Sequence, residues 1–169
     1  MMYNHRSHRV PYNDDYATCE RTVATLRIYP GSYDPDHVTN LLGIAPTKHV
    51  RVGETTINPR NGRSRVGRVN GWFLSSEGSI ASLDLRRHLD WLLALLEPKA
   101  KELGTLQATE GVSMNVICIW WSKHNTGGPT LWPEQMSALS RLNLECGFEF
   151  SFDGDEPILG PVLGAHPNR

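Results

Sequence analysis

The stretch Val112–Trp121 constrains this chain more than any other, because Val116, Cys118 and Trp120 alternate with Ile117, Ile119 and Trp121. A strand here is apolar on both faces. One layer of helices covers only one face of a sheet, so Ile117, Ile119 and Trp121 call for a second cover and are the candidate interface residues. The cover can come from the tail residues Ile158, Leu159, Val162 and Leu163, from a second copy of the chain, or from a ligand.

The other elements fall into place around that strand. Thr22–Tyr29 alternates, with Ala24, Leu26 and Ile28 on one face and Thr25, Arg27 and Tyr29 on the other. Asp34-Pro35 is a helix start, Val38, Leu41 and Leu42 recur at helical spacing, and Gly43 fits the left-handed residue past the end. A short strand is expected over Lys48–Gly53 and another over Trp72–Ser76. Between them, residues 54–70 read as an enlarged, mobile hairpin loop rich in turn formers.

Leu85, Leu89, Leu92, Leu93 and Leu96 make a wide apolar stripe, with Arg86, Arg87 and Asp90 on the wet side. Pro98 should kink that helix, which then runs to Leu103 and ends at Gly104. Pro133 opens a further helix with Met136, Leu139 and Leu142. In the last strand, Leu144, Cys146, Phe148, Phe150 and Phe152 are expected to face in.

The order β-α-β-β-α-β-α-β predicts an α+β fold, a ferredoxin-like and mainly antiparallel sheet with helices on one face. One domain is expected over residues 20–153, with a loose, flexible arm over 1–19 and an extended Pro/Gly-rich tail over 154–169.

With 39% hydrophobic and 21% charged residues in a chain of 169, the core needs neither disulfide nor metal. Three cysteines without Cys-x-x-Cys spacing fit a reducing compartment, and no apolar stretch follows the N-terminus as a signal peptide requires. The longest apolar runs, Trp91–Leu96 and Val116–Trp121, are too short to span a bilayer. The reading is therefore a cytoplasmic protein with no membrane association. A net charge of -1 gives no long-range pull on nucleic acid, which is a disfavoured partner.

The early Thr25-Leu26-Arg27-Ile28, then Asp34-Pro35-Asp36-His37-Val38-Thr39 leading to Leu42-Gly43-Ile44-Ala45-Pro46-Thr47, together form an ordered signature. Gly53, Gly71-Trp72, Leu95-Leu96-Glu97-Pro98 and the last alternating strand continue it. In this the chain resembles a bacterial family, domain of unknown function 4279, over about residues 20–153. The resemblance implies a small α+β domain and supplies no catalytic residues.

Recognisable chemistry is sparse. The seven histidines are scattered, only His5 and His8 lie close together, and no thiolate pair joins them, so no metal is expected. There is no Gly-x-Ser-x-Gly elbow and no phosphate-binding loop, and Gly127-Gly128-Pro129 reads as a turn. No cofactor is expected. Cys19 is the one cysteine expected near the surface.

The feature that stands out is basic: Lys48, Arg51, Arg60, Arg63, Arg65 and Arg68 face a single acid, Glu54, between positions 48 and 68. Arginines can pair bidentately with phosphate or carboxylate, and Trp72 and Phe73 follow directly, so Arg51, Arg60, Arg63, Arg65, Arg68 and Trp72 are the ligand-binding candidates. The same arginines could instead solvate the loop or neutralise Glu145–Asp153. The expected function is a non-catalytic binding or protein-interaction module, of accessory or immunity type, with a protein partner or a second copy. Binding of single-stranded nucleic acid or another anion by the basic loop is the alternative, and an unrecognised enzyme the third.

Overall fold

Strand β1, Cys19–Tyr29, is paired on both sides and organises the sheet. One antiparallel neighbour is β5 (Gly71–Ser75), with Leu26 opposite Leu74 and Ile28 opposite Trp72. The other is β6 (Ser113–Ser122), with Ala24 opposite Cys118 and Leu26 opposite Val116. Strand β2 (Lys48–Val50) closes one edge against β5, and β7 (Cys146–Phe152) lies beside β6 at the other. The computed structural model describes residues 9–59 and 61–152, an α+β fold whose five-stranded sheet has the order β2-β5-β1-β6-β7.

Helix α1 (Pro35–Leu42) starts where Asp34 accepts a hydrogen bond from the Asp36 amide at 2.8 Å. It stops at Gly43, whose φ of 65° is the left-handed conformation the sequence anticipated. Helix α2 (Leu85–Leu96) tightens into a 3-10 turn at Glu97–Lys99 around Pro98 and resumes as α3 (Ala100–Gln107). The helix passes through Gly104 instead of ending there. Burial of Leu106, 1% exposed, outweighs the cost of about 1 kcal/mol for a helical glycine.

Helix α4 (Pro133–Arg141) carries the chain from β6 to β7, and a crossover of this kind makes the two strands parallel. The sheet is therefore mixed. Leu26, Ile28, Trp72, Leu74, Val116 and Cys118 meet the leucines of α2 in one core on the helical side.

Further sequence expectations change with packing. The alternation of β7 places Phe148 and Phe150 on the same face as Cys118 and Trp120, yet Phe148, Phe150 and Phe152 are 39%, 62% and 56% exposed. Alternation specifies a face, but at a sheet edge it does not guarantee a cover. The 54–70 connection is no plain loop: β3 (Thr55–Ile57) and β4 (Ser64–Val66) pair as a separate antiparallel hairpin. Its strand residues are all exposed, so no buried apolar period announced them.

Arg86 is another change. Expected in water, it is 1% exposed and bound to the equally buried Asp84, which also caps α2. Its guanidinium donates to the carbonyls of Val10 at 2.7 Å and Pro11 at 2.8 Å, and lies over the rings of Tyr12 and Trp132. Tyr12 donates to Asp90, and burial together with that carboxylate pushes its phenol up to about 12. Asp14 pairs with Arg87. Residues 9–18 are thus fastened to α2 instead of hanging loose, while residues 1–8 and 153–169, which include the 154–169 tail, lie outside the described residues.

Candidate functional site

On the helix-free face, Phe73 of β5 stands opposite Lys48 of β2 on one side and Arg27 of β1 on the other. Its ring meets Tyr29 edge-on, with centroids 5.8 Å apart. Phe73 also folds back over Gly71, where an added Cβ would come within 2.7 Å of the ring. The absence of a side chain at 71 is what allows that ring position.

The β3–β4 hairpin closes against this surface. Gly53 and Gly67 extend its ladder through bonds from Gly53 N–H to the Gly67 carbonyl at 2.9 Å and from Gly67 N–H to the Glu54 carbonyl at 2.8 Å. A Cβ at Gly67 would lie 2.0 Å from the Arg51 carbonyl oxygen, so only glycine lets the hairpin approach the end of β2 so closely. Between hairpin and sheet lies a cavity of about 690 Å³.

Lys48, Arg65 and Arg68 line it beside Tyr29 and Phe73, and its described lining contains no Asp, Glu, His or Cys. Among the described residues none of these three cations has an ion pair. Three positive charges gathered without counter-charge favour an anion, and the two rings offer a flat apolar contact beside it.

The candidates from sequence separate. Arg65 and Arg68 reach the cavity. Arg51 does not: it binds Asp34 and Asp36, each at 2.9 Å, and its Nη1 lies 2.7 Å from His49 Nε2. Those bonds raise Arg51 and hold the Asp34 carboxyl below its usual range, making a clasp between α1 and β2. Arg63 is exposed in the hairpin and is not part of the lining, and Arg60 lies outside the described residues.

Trp72 is fully buried and donates its indole N–H to Thr39 Oγ1 at 3.0 Å, so it serves the core. Its neighbour Phe73 takes the place expected of it. The signal was parity: Trp72 and Leu74 share the core face, which turns Phe73 outward to the face already assigned to Tyr29.

The interface candidates Ile117, Ile119 and Trp121 lie on the same helix-free face, half-buried. Arg21 lies over the Trp121 ring at 4.7 Å while pairing with Glu77, and Arg27 reaches Glu149 at 3.2 Å. Side chains of the face itself therefore screen part of it.

Elsewhere, Cys19 is fully buried, not exposed as expected, and burial pushes its thiol up to about 11. His88 and Ser76 are bonded at 2.7 Å inside the core. Among the described residues, no three of His, Cys, Asp and Glu gather as a metal site, and no helix is long and apolar enough to cross a membrane.

Comparison with curated proteins and with solved structures gives no match. The family model described as Domain of unknown function (DUF4279) matches residues 19–153, from the first residue of β1 to just past β7. The chain belongs to that family.

Proposed function

We propose that this protein is a non-catalytic binding module whose cleft, between the β3–β4 hairpin and the helix-free face, takes a small anionic ligand with a planar part. The observation that carries the reading is the set Lys48, Arg65 and Arg68 around the Tyr29–Phe73 floor without a carboxylate among them. A cavity of about 690 Å³ suits a ligand the size of a mononucleotide or an aromatic acid. The described lining holds Thr56 and Ser64 but no histidine or carboxylate to activate either hydroxyl, so its charged groups serve to hold an anion. The scaffold reading is ferredoxin-like, supported by the order β2-β5-β1-β6 with antiparallel neighbours.

Calorimetric titration with mononucleotides and with aromatic mono- and dicarboxylates tests this. Binding should weaken as salt rises, and Lys48→Gln, Arg65→Gln or Arg68→Gln should each cost about tenfold or more in affinity, the worth of one charged hydrogen bond. No salt-sensitive binding of any of these anions, or wild-type affinity in all three variants, would reject the reading.

A further inference from the structure

Two free thiols that the cleft does not use face one another across β6 and β7: Cys118 Sγ lies 3.8 Å from Cys146 Sγ. Cys118 stands opposite Phe148 and Cys146 opposite Val116, so the cysteines are diagonal neighbours on the helix-covered face of parallel strands. Cys118 is 1% exposed, whereas Cys146 is half-buried at the start of the edge strand. Cys146 is thus the more accessible residue of the pair, with Cys118 behind it.

We propose that Cys118 and Cys146 are a redox-active dithiol that closes to an intramolecular disulfide by drawing the edge strand β7 along β6, because diagonal neighbours start about 7–8 Å apart at Cα, beyond the reach of a relaxed disulfide. The oxidant is a small disulfide of the glutathione class. Cys146 thiolate attacks one of its sulfurs, the small S–S bond breaks, and one thiolate leaves, so that Cys146 carries a mixed disulfide. The Cys118 sulfur then attacks the Cys146 sulfur. The Cys118–Cys146 bond forms, the mixed disulfide breaks, and the second small thiolate leaves with the proton Cys118 gives up. Two electrons pass from the protein thiols to the small disulfide, which becomes two thiols.

The order of events follows from the surroundings. The hydrogen bond between the thiols, together with burial, raises Cys118, and the same bond lowers Cys146. Cys146, the more exposed of the two, is the attacking sulfur and Cys118 the resolving one. Cys19, buried and raised, is an internal control.

The folded full chain is incubated with oxidised glutathione, and unreduced peptides are mapped by mass spectrometry. A linked 118–146 peptide pair is expected in a monomer lighter by about 2 Da, with Cys19 unmodified. Cys118→Ser should stop at a stable glutathione adduct on Cys146, and Cys146→Ser should leave Cys118 unmodified in the native state. A native protein that stays reduced, a wild-type adduct that never resolves, a link between two chains, or a link made only after denaturation would overturn the proposal. Should a variant fail to fold, the wild-type map alone decides.

Discussion

Arg86 sits 1% exposed on a helix whose next residue, Arg87, is in water, and chemistry keeps it there. Asp84 accepts from its Nε, two carbonyls of the N-terminal segment accept from its Nη atoms, and two rings flank the guanidinium. Burial opposes charge on Asp84, but the Arg86 bonds win and hold its carboxyl below the usual range. Arg86→Met leaves that carboxylate buried without its counter-ion, held only by two backbone amides. It should lower stability by about 3–5 kcal/mol, read as a shift of the urea midpoint.

His88 makes a different prediction. Its Nε2 donates to the Ser82 carbonyl at 2.8 Å, and in the neutral ring Nδ1 accepts from the Ser76 hydroxyl at 2.7 Å. Burial holds it below the ordinary imidazole value of 6.5. The unfolded chain therefore takes up a proton first, and stability should fall as pH drops below about 6.5 until the folded ring also titrates. Urea midpoints at pH about 7.5 and about 5.5 should differ in the wild type, and His88→Gln should flatten the difference.

At the scale of elements, the hairpin and the edge strand show how far a pattern reads. Caps made α1 legible: Asp34, Pro35 and Gly43 all serve as their residue types imply. The leucine stripe made α2 legible, because seven of its twelve residues are buried and the apolar ones recur at helical spacing. The β3–β4 hairpin was not legible, since three-residue strands in water carry no burial period. Its position depends on Gly67 meeting the Arg51 carbonyl. Gly67→Ala should therefore loosen the hairpin and weaken anion binding about tenfold, while the melting temperature moves by only a few degrees. Hydrogen exchange at β3 and β4 should speed up in that variant, with β1 unchanged.

For the molecule as a whole, protection should follow the sheet order. Strand β1 lies between two antiparallel partners, whereas β2 and β7 are edges and the hairpin forms a separate small sheet. Native-state hydrogen exchange should find β1 and its partners slowest and the hairpin and β7 fastest. Equal protection of β7 and β1 would contradict this layering. The net charge of -1 also conceals a local imbalance. Arg51, Arg86 and Arg87 are bound to carboxylates, which leaves Lys48, Arg65 and Arg68 as the concentrated positive field at the cleft.

The sequence by itself determined the elements that depend on near neighbours: the helix caps, the leucine stripe, and the alternation of β1 and β6. Those properties arise from local dihedral preferences and from the helical and strand periods. Only the tertiary structure decided which charges find partners, that Trp72 goes inside while Phe73 floors a cleft, and that Cys118 meets Cys146. These depend on contacts between residues far apart in the chain, where burial and distance, not residue type, set the chemistry.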